Sequence, residues 1–297
     1  MANPRIESEE KGHLIDILST LHPTAKKNSL RRMIDHGRVL VDGNKASRAK
    51  EIIHKGSIVE TLSRSEGDGP VRKDDGIPEP EVLYDDSELL VVNKPAGLLS
   101  VATPRGEADT MFDRALLWAS KNHSTRVHLV HRLDRETSGC LILAKSTRAK
   151  DILQRQFKDR TIERIYHAVV YGKPSSKSGL QRARVKETKD KRVRLIQEGE
   201  RGGKEAITNW SIEQNGPIHT LIRIKIDTGR RAQIRLHMSD MGCPVSGDTR
   251  YGRGKASVNR LCLHASSLGF DHPDGRRMKV ESEIPSKLFS ELKRKSL

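Results

Sequence analysis

The chain is poor in several residue types whose abundance would point elsewhere. Its 297 residues hold three cysteines, Cys140, Cys243 and Cys262, an odd number set far apart. That excludes a disulfide framework and the paired spacings of zinc or redox motifs, and it predicts buried, reduced thiols. Aromatic residues are scarce, with 4 Phe, 2 Trp and 4 Tyr, so any ring beside a functional group carries weight. No apolar run approaches the roughly 20 residues that span a bilayer. The opening MANPRIESEEKG lacks the apolar core of a secretion signal. A cytoplasmic protein with no membrane partner is the expectation. The nearest approach to a phosphate loop, GRGKAS at 252–257, fails at the leading glycine and at the Ser or Thr that should follow its lysine. The sequence therefore predicts no cofactor and no metal.

Positive charge, by contrast, is plentiful. The 55 Lys and Arg outnumber the 39 Asp and Glu to give a formal net charge of +16, which implies a polyanionic partner. Charge alone does not separate DNA, RNA and an anionic membrane. Nucleic acid is preferred because no amphipathic segment carries the strongly apolar face that a membrane surface requires. The length suits two domains, and a hydrophobic content of 34% is enough for a core in each.

Residues 1–62 read as the smaller domain. Leu14, Ile17, Leu18 and Leu21 recur at helical spacing, and a second helix puts Leu30, Met33 and Ile34 on one face before Gly37. RVLVDGNKA then reads as a strand turning at Asp42 and Gly43, and GSIVETL as another. Lys27 and Arg31 lie one turn apart, away from the apolar face, next to Lys26, Arg32 and Arg38. The order helix, helix, glycine, strand, turn, strand resembles the S-four-type RNA-binding domain, although its usual arginine-leucine-aspartate opening reads His13, Leu14, Ile15, Asp16 here. The resemblance implies that Lys27, Arg31, Arg32 and Arg38 contact RNA; a solvated charged face is the bland alternative. Residues 63–80, rich in Ser, Gly, Asp, Lys and Pro, read as a flexible linker. Residues 81–297 alternate strand-like runs with helices at Thr110–Ser120 and Thr147–Lys158, which predicts an α+β domain around a mixed, mostly antiparallel sheet.

The strongest chemical signal is HRLDRETSG at 131–139, between the short apolar runs Val127–Val130 and Cys140–Ala144. Both runs read as core strands, so Asp134 sits on a loop held by rigid elements. Arg132, Arg135 and His131 flank it. Neighbouring positive charge would keep such a carboxylate ionised and fit for nucleophilic work. Taken alone, the local pattern favours an aspartate that caps a turn and pairs with Arg132 or Arg135 for structure.

HRLDRETSG closely resembles the active-site motif of the RluA-type pseudouridine synthases. Further stretches follow in that family's order: LLVVNKPAGL at 89–98, ERIYHAVVYG at 163–172, KEAITNW at 204–210, TGRRAQIRLH at 228–237, MGCPVSGDTRYG at 241–252 and LHASSLGFDHP at 263–273. The resemblance implies an isomerase that detaches uracil from ribose, turns it and rejoins it through carbon. It implies Asp134 as nucleophile or base, Arg235 as the arginine paired with it, and Tyr166 as the tyrosine beside the target base, with a ring to stack on an extruded uracil and a hydroxyl to accept or relay the proton lost from ring carbon 5. Arg132 would fill the space the base vacates, and His131, Lys94 and Ile234 would line the substrate site. The usual threonine-histidine before QIR is replaced by Arg231 and Ala232. The basic stretch Arg182–Arg194, interleaved with Glu187 and Asp190, reads equally as an RNA contact or a charged hairpin. A separate RNA-binding domain favours large-subunit ribosomal RNA as substrate, with transfer RNA second, and a monomer. A non-catalytic assembly factor and a nonspecific nucleic-acid binder are the competing readings.

Overall fold

The computed structural model describes residues 3–25, 27–35, 37–46, 48–62, 77–103, 107, 109–123, 125–188, 192–196, 200–252 and 257–295. The chain divides into two compact units, Met1–Gly76 and Ile77–Leu297. Residues 63–76 of the expected linker, Lys26, and residues 253–256 of GRGKAS lie outside the described residues.

The first unit comprises β1 (Arg5–Glu7), β2 (Gly12–His13), α1 (Leu14–Leu21), α2 (Lys27–Asp35), β3 (Val39–Val41), β4 (Asn44–Lys45), β5 (Ile52–Ile53) and β6 (Ile58–Thr61). Its main sheet runs β1-β6-β3-β4 and is antiparallel throughout. The hairpin between β3 and β4 turns on Asp42 and Gly43, both at positive φ (49° and 78°). That is the conformation a two-residue hairpin demands. Leu14 and Leu18 from α1 and Leu30 and Ile34 from α2 close over Val39 and Val59, so the helical spacing of the apolar residues produces the core it implies.

The second unit contains β7 (Glu81–Asp85), β8 (Leu89–Lys94), α3 (Met111–His123), β9 (His128–Leu129), β10 (Ser138–Ala144), α4 (Thr147–Asp159), β11 (Glu163–Tyr171), β12 (Ser178–Glu187), β13 (Val193–Leu195), β14 (Lys204–Asn215), β15 (His219–Ile226), α5 (Gln233–Asp240), β16 (Leu263–Asp271), β17 (Arg277–Glu281) and α6 (Ser286–Leu292). Eleven strands form one sheet with the path β13-β12-β14-β15-β11-β16-β10-β8-β7, with β17 added on β16 and β9 on β10. All described pairings are antiparallel except β10 with β16. The sheet is thus mixed and mostly antiparallel, and the strand expected at 127–130 shortens to β9.

β10 reads SGCLILA without polar alternation because both its faces are covered. Leu141 and Leu143 join one apolar cluster, and Cys140, Ile142 and Ala144 join the other. The three cysteines are free and buried. Gly139 permits the one parallel pairing, opposite Ala265. Its φ is +113°, and a Cβ there would lie 2.1 Å from the Ala265 carbonyl oxygen.

Gly139 and Gly172 give a matched test. Gly172→Ala, at φ +80° with open space around it, meets only the backbone strain of about 1–2 kcal/mol. Gly139→Ala adds a clash with backbone that cannot yield and is expected to cost more than about 4 kcal/mol. Urea unfolding of both variants measures the difference.

Candidate active site

The Asp134 loop is pinned by groups on either side of it. Lys94, the last residue of β8, is fully buried, and its Nζ donates to the carbonyls of Pro95 (2.9 Å), Leu98 (2.7 Å) and Arg135 (3.1 Å). The Gly97 amide also donates to the Arg135 carbonyl, and Arg135 Nε donates back to the Gly97 carbonyl, each at 2.9 Å. On the other side Ser100 Oγ donates to the Leu133 carbonyl at 2.9 Å and accepts from the Leu133 amide at 3.0 Å. Both neighbours of Asp134 are therefore stitched to segment 94–100. Burial pulls Lys94 down to about 7, opposed by the Glu136 and Asp134 charges. Three carbonyl acceptors match the three N–H donors of an ammonium, so we assign Lys94 as charged at neutral pH. The expected contact of Lys94 with substrate is corrected by this burial: its donors are consumed inside the protein.

Among the described residues the Asp134 carboxylate has one hydrogen bond, accepted by Oδ2 from the Ala232 amide at 3.3 Å. Ala232 caps α5 in the left-handed region, φ 53°, so the residue that departs from the family pattern turns its peptide toward the aspartate. The preceding Arg231 pairs with Glu187 at 2.8 Å. Gln233 anchors this turn from within. Its Oε1 accepts from Thr228 Oγ1 (2.7 Å) and the Arg230 amide (3.1 Å), while its Nε2 donates to the Ile207 carbonyl (2.9 Å) and Thr208 Oγ1 (3.0 Å).

Arg235 departs from expectation. Its fork engages Asp248, with Nε to Oδ2 at 2.7 Å and NH2 to Oδ1 at 2.6 Å, and its guanidinium lies 5.1 Å from the Tyr251 ring centre. Asp248 also accepts the amides of Arg250 and Tyr251, each at 2.9 Å. A buried carboxylate that presents two oxygens in one plane satisfies a guanidinium better than a distant loop aspartate can. Burial opposes the Arg235 charge, but the Asp248 bonds and then the nearby Asp134 outweigh it and raise its pKa. Asp134 and Arg235 are thus neighbours through space, lining one cleft, without a direct hydrogen bond.

That cleft, of about 650 Å³, also receives Tyr166, Arg132 and the apolar side chains of Ile234 and Leu263. Tyr166 is 8% exposed, and burial pushes its phenol up to about 12. It is a neutral ring at physiological pH. Arg132 is exposed and has no hydrogen bond or ion pair among the described residues. His131 also lines the cleft, but not as a cation. Its Nε2 accepts the Ile142 amide at 3.1 Å and its ring stacks on Phe157 at 4.6 Å. Burial, and then the Arg164 charge, hold its pKa down at about 3. The expectation of a third positive charge beside Asp134 is corrected accordingly.

Two residues went unassigned in the sequence: Arg164, which lines the cleft, and Asp248, which holds the cleft residue Arg235. Asp248 lies in SGDTRYG, where nothing local announces a partner thirteen residues earlier. Arg164 was findable, since it alternates with Tyr166 and so shares its face of β11. It donates to the carbonyls of Ile226 (3.3 Å) and Asp227 (3.0 Å), and its Nε has no partner among the described residues. In the first unit, Lys27 and Arg31 are exposed on α2, with Lys27 3.5 Å from Asp16 and Arg31 3.0 Å from Asn28 Oδ1. The Arg32 side chain lies outside the described residues. Arg38 is corrected: its Nε and NH2 both donate to the Leu62 carbonyl, at 3.0 and 2.8 Å, so its fork closes the end of β6 instead of facing outward.

The fold of the second unit is shared with pseudouridylate synthase domains. The human protein RNA pseudouridylate synthase domain containing 4 superposes with a TM-score of 0.61 over 71% of this chain and 91% of its own, at 22% identity. The RNA pseudouridylate synthase family model matches residues 88–240. The large-subunit pseudouridine synthase D of Pseudomonas aeruginosa is 32% identical over 92% of this chain and 88% of its own length. An uncharacterized RNA pseudouridine synthase of Bacillus subtilis, YlyB, is 32% identical over 93% of this chain and 92% of its own. The chain belongs to the RNA pseudouridylate synthase family, in its RluA-type branch, and is an RNA pseudouridine synthase.

Two outcomes follow from this geometry. Asp248→Ala strands the Arg235 guanidinium in a buried site and is expected to lower stability by about 3–5 kcal/mol in urea unfolding. His131 binds its proton only near pH 3 when folded but near its ordinary 6.5 when unfolded. Its contribution is therefore fully present above 6.5 and is lost as pH falls toward 3. His131→Gln, which keeps an acceptor for Ile142, should flatten the acid limb of the stability curve in that window.

Proposed function

We propose that the enzyme isomerises specific uridines in large-subunit ribosomal RNA, with Asp134 as the group that meets the target nucleotide. In the reaction the bond from ribose C1′ to N1 of uracil breaks, a bond from C1′ to C5 forms, and the proton on C5 leaves as N1 regains one. No electrons enter or leave. The observation that carries the reading is the state of Asp134. Its loop is fixed through the peptide groups of Leu133 and Arg135, while its carboxylate accepts one long bond and opens on the cleft. A carboxylate placed in that way can act as nucleophile or base.

The neutral Tyr166 ring and the side chains of Ile234 and Leu263 supply an apolar surface for a uracil taken out of its stack. A phenol held near 12 is a poor base at neutral pH, so stacking, not proton removal, is the role we assign to Tyr166 in the free enzyme. Arg132, exposed and unpaired among the described residues, takes the place the base leaves or a phosphate beside it. Ribosomal RNA is supported by the similarity to the ribosomal large subunit pseudouridine synthase D of Pseudomonas and by the basic first unit, which we read as an S-four-type RNA-binding domain with Lys27 and Arg31 facing phosphate. We read the protein as cytoplasmic on the same grounds.

Pseudouridine mapping of ribosomal and transfer RNA from cells with and without the gene identifies the target. Complementation with Asp134→Asn is expected to leave that uridine unmodified, with the rate on isolated RNA down by more than about 10³-fold and RNA affinity kept. Modification confined to transfer RNA would overturn the substrate, and an active Asp134→Asn would overturn the role of the aspartate. The double change Lys27→Glu with Arg31→Glu should raise KM with kcat held within twofold, and reduce the slope of log affinity on log salt by about two.

A further inference from the structure

Tyr166 and His167 are successive residues of β11 and so face opposite sides of the sheet. Tyr166 lines the cleft, and His167 lines a second, polar cavity of about 370 Å³ behind it. The histidine is gripped by two residues that the strand ladders leave unpaired. Along β16, the register against β11 shifts between the partners of Ile165 and Tyr166, which are Ser267 and Ala265, so Ser266 is the extra residue. Along β14, the register against β15 shifts between Ile212 and Gln214, so Glu213 is extra there. Bulges re-aim side chains, and both of these reach the imidazole. Ser266 Oγ lies 2.7 Å from Nδ1 and Glu213 Oε2 lies 2.9 Å from Nε2.

Ser266 has a second neighbour. Its Oγ is 3.2 Å from the carbonyl oxygen of Ile165, which belongs to the peptide leading directly into Tyr166. A hydroxyl has one proton, so it can serve only one of these two acceptors. With a neutral imidazole, Nε2–H donates to Glu213 and Nδ1 accepts the Ser266 hydroxyl, leaving the Ile165 carbonyl without it. When solvent supplies a second proton, Nδ1–H donates to Ser266 Oγ and the hydroxyl turns to the Ile165 carbonyl.

We propose that His167 is a positioning residue for Tyr166, its proton deciding through Ser266 whether the peptide entering Tyr166 is held. The proposal rests on reading Tyr166 as part of the active site. The groups that face His167 come from every neighbouring strand: Glu213 from β14, Arg223 from β15, His264 from β16, Lys279 and Glu281 from β17, and Glu283 just beyond. Burial lowers the histidine's pKa from its ordinary value, Glu213 opposes that, and Arg223 adds to it.

The test follows His167 and Tyr166 in the full-length protein by carbon-13 NMR of labelled His and Tyr rings from pH 5 to 8.5. The peaks are assigned with His167→Gln and Tyr166→Phe. In the wild type the Tyr166 resonance should move with the midpoint of His167. Glu213→Gln, at a half-exposed position, should shift both midpoints together to lower pH. In Ser266→Ala the histidine should still titrate while Tyr166 no longer responds. On ribosomal RNA from cells lacking the gene, wild-type kcat should carry an inflection at the same midpoint with KM flat, and Ser266→Ala should lose it. A Tyr166 resonance that ignores His167, or that follows it equally in Ser266→Ala, overturns the proposal alone. Full kcat in Tyr166→Leu overturns the reading of the site on which it rests.

Discussion

One buried ammonium organises the Asp134 loop. Lys94 gathers three carbonyls from two segments that are far apart in sequence, 95–98 and 135. Removing an ammonium from water is costly unless its donors are satisfied, and here every N–H has a carbonyl. Without it the Pro95 and Leu98 carbonyls would lose this donor and the Arg135 carbonyl would keep only the Gly97 amide. This mutual need fixes Arg135, and the Ser100 exchange with Leu133 fixes the other side. Asp134 is thereby positioned through its backbone, so its carboxylate need not be tied down by a side chain. A nucleophile or base has to be both placed and free, and this division of labour provides both.

The charges around the cleft are arranged on the same principle. Arg235 is held rigid by Asp248, so its field reaches Asp134 without a salt bridge that substrate would have to break. The Gln233 network holds the start of α5, and that places the Ala232 amide against Asp134. The change from threonine-histidine to Arg231 and Ala232 alters what surrounds the aspartate but not this contact, which is made by a backbone N–H. The sheet behind the cleft is irregular where the site needs it, with bulges at Ser266 and Glu213 on strands close to Tyr166.

Much of this was legible in the sequence, and the limits have a physical cause. Apolar spacing located α1, α2, α3 and α4 within a few residues, because each buries a single stripe. The continuous apolar run of β10 announced a strand covered on both faces, and Asp42–Gly43 announced its turn. HRLDRETSG marked Asp134 through a family resemblance, where local pattern alone favoured a turn-capping aspartate. What escaped depends on contacts between distant segments. The burial of Lys94, the capture of Arg235 by Asp248, the engagement of Arg38 with the Leu62 carbonyl and the neutral state of His131 follow from which strands adjoin. A one-dimensional pattern carries the charge of a side chain but not the identity of the group that meets it.

The central claim is positional: Asp134 acts because its loop sets the carboxylate in one place. Single-turnover pseudouridine formation by Asp134→Glu tests this most directly, since the substitution keeps the carboxylate and moves it by one methylene. A displacement of about 1 Å is expected to slow the chemical step by roughly 10²-fold or more, with RNA affinity unchanged. A glutamate variant that reacts within a few-fold of the wild-type rate would contradict the account.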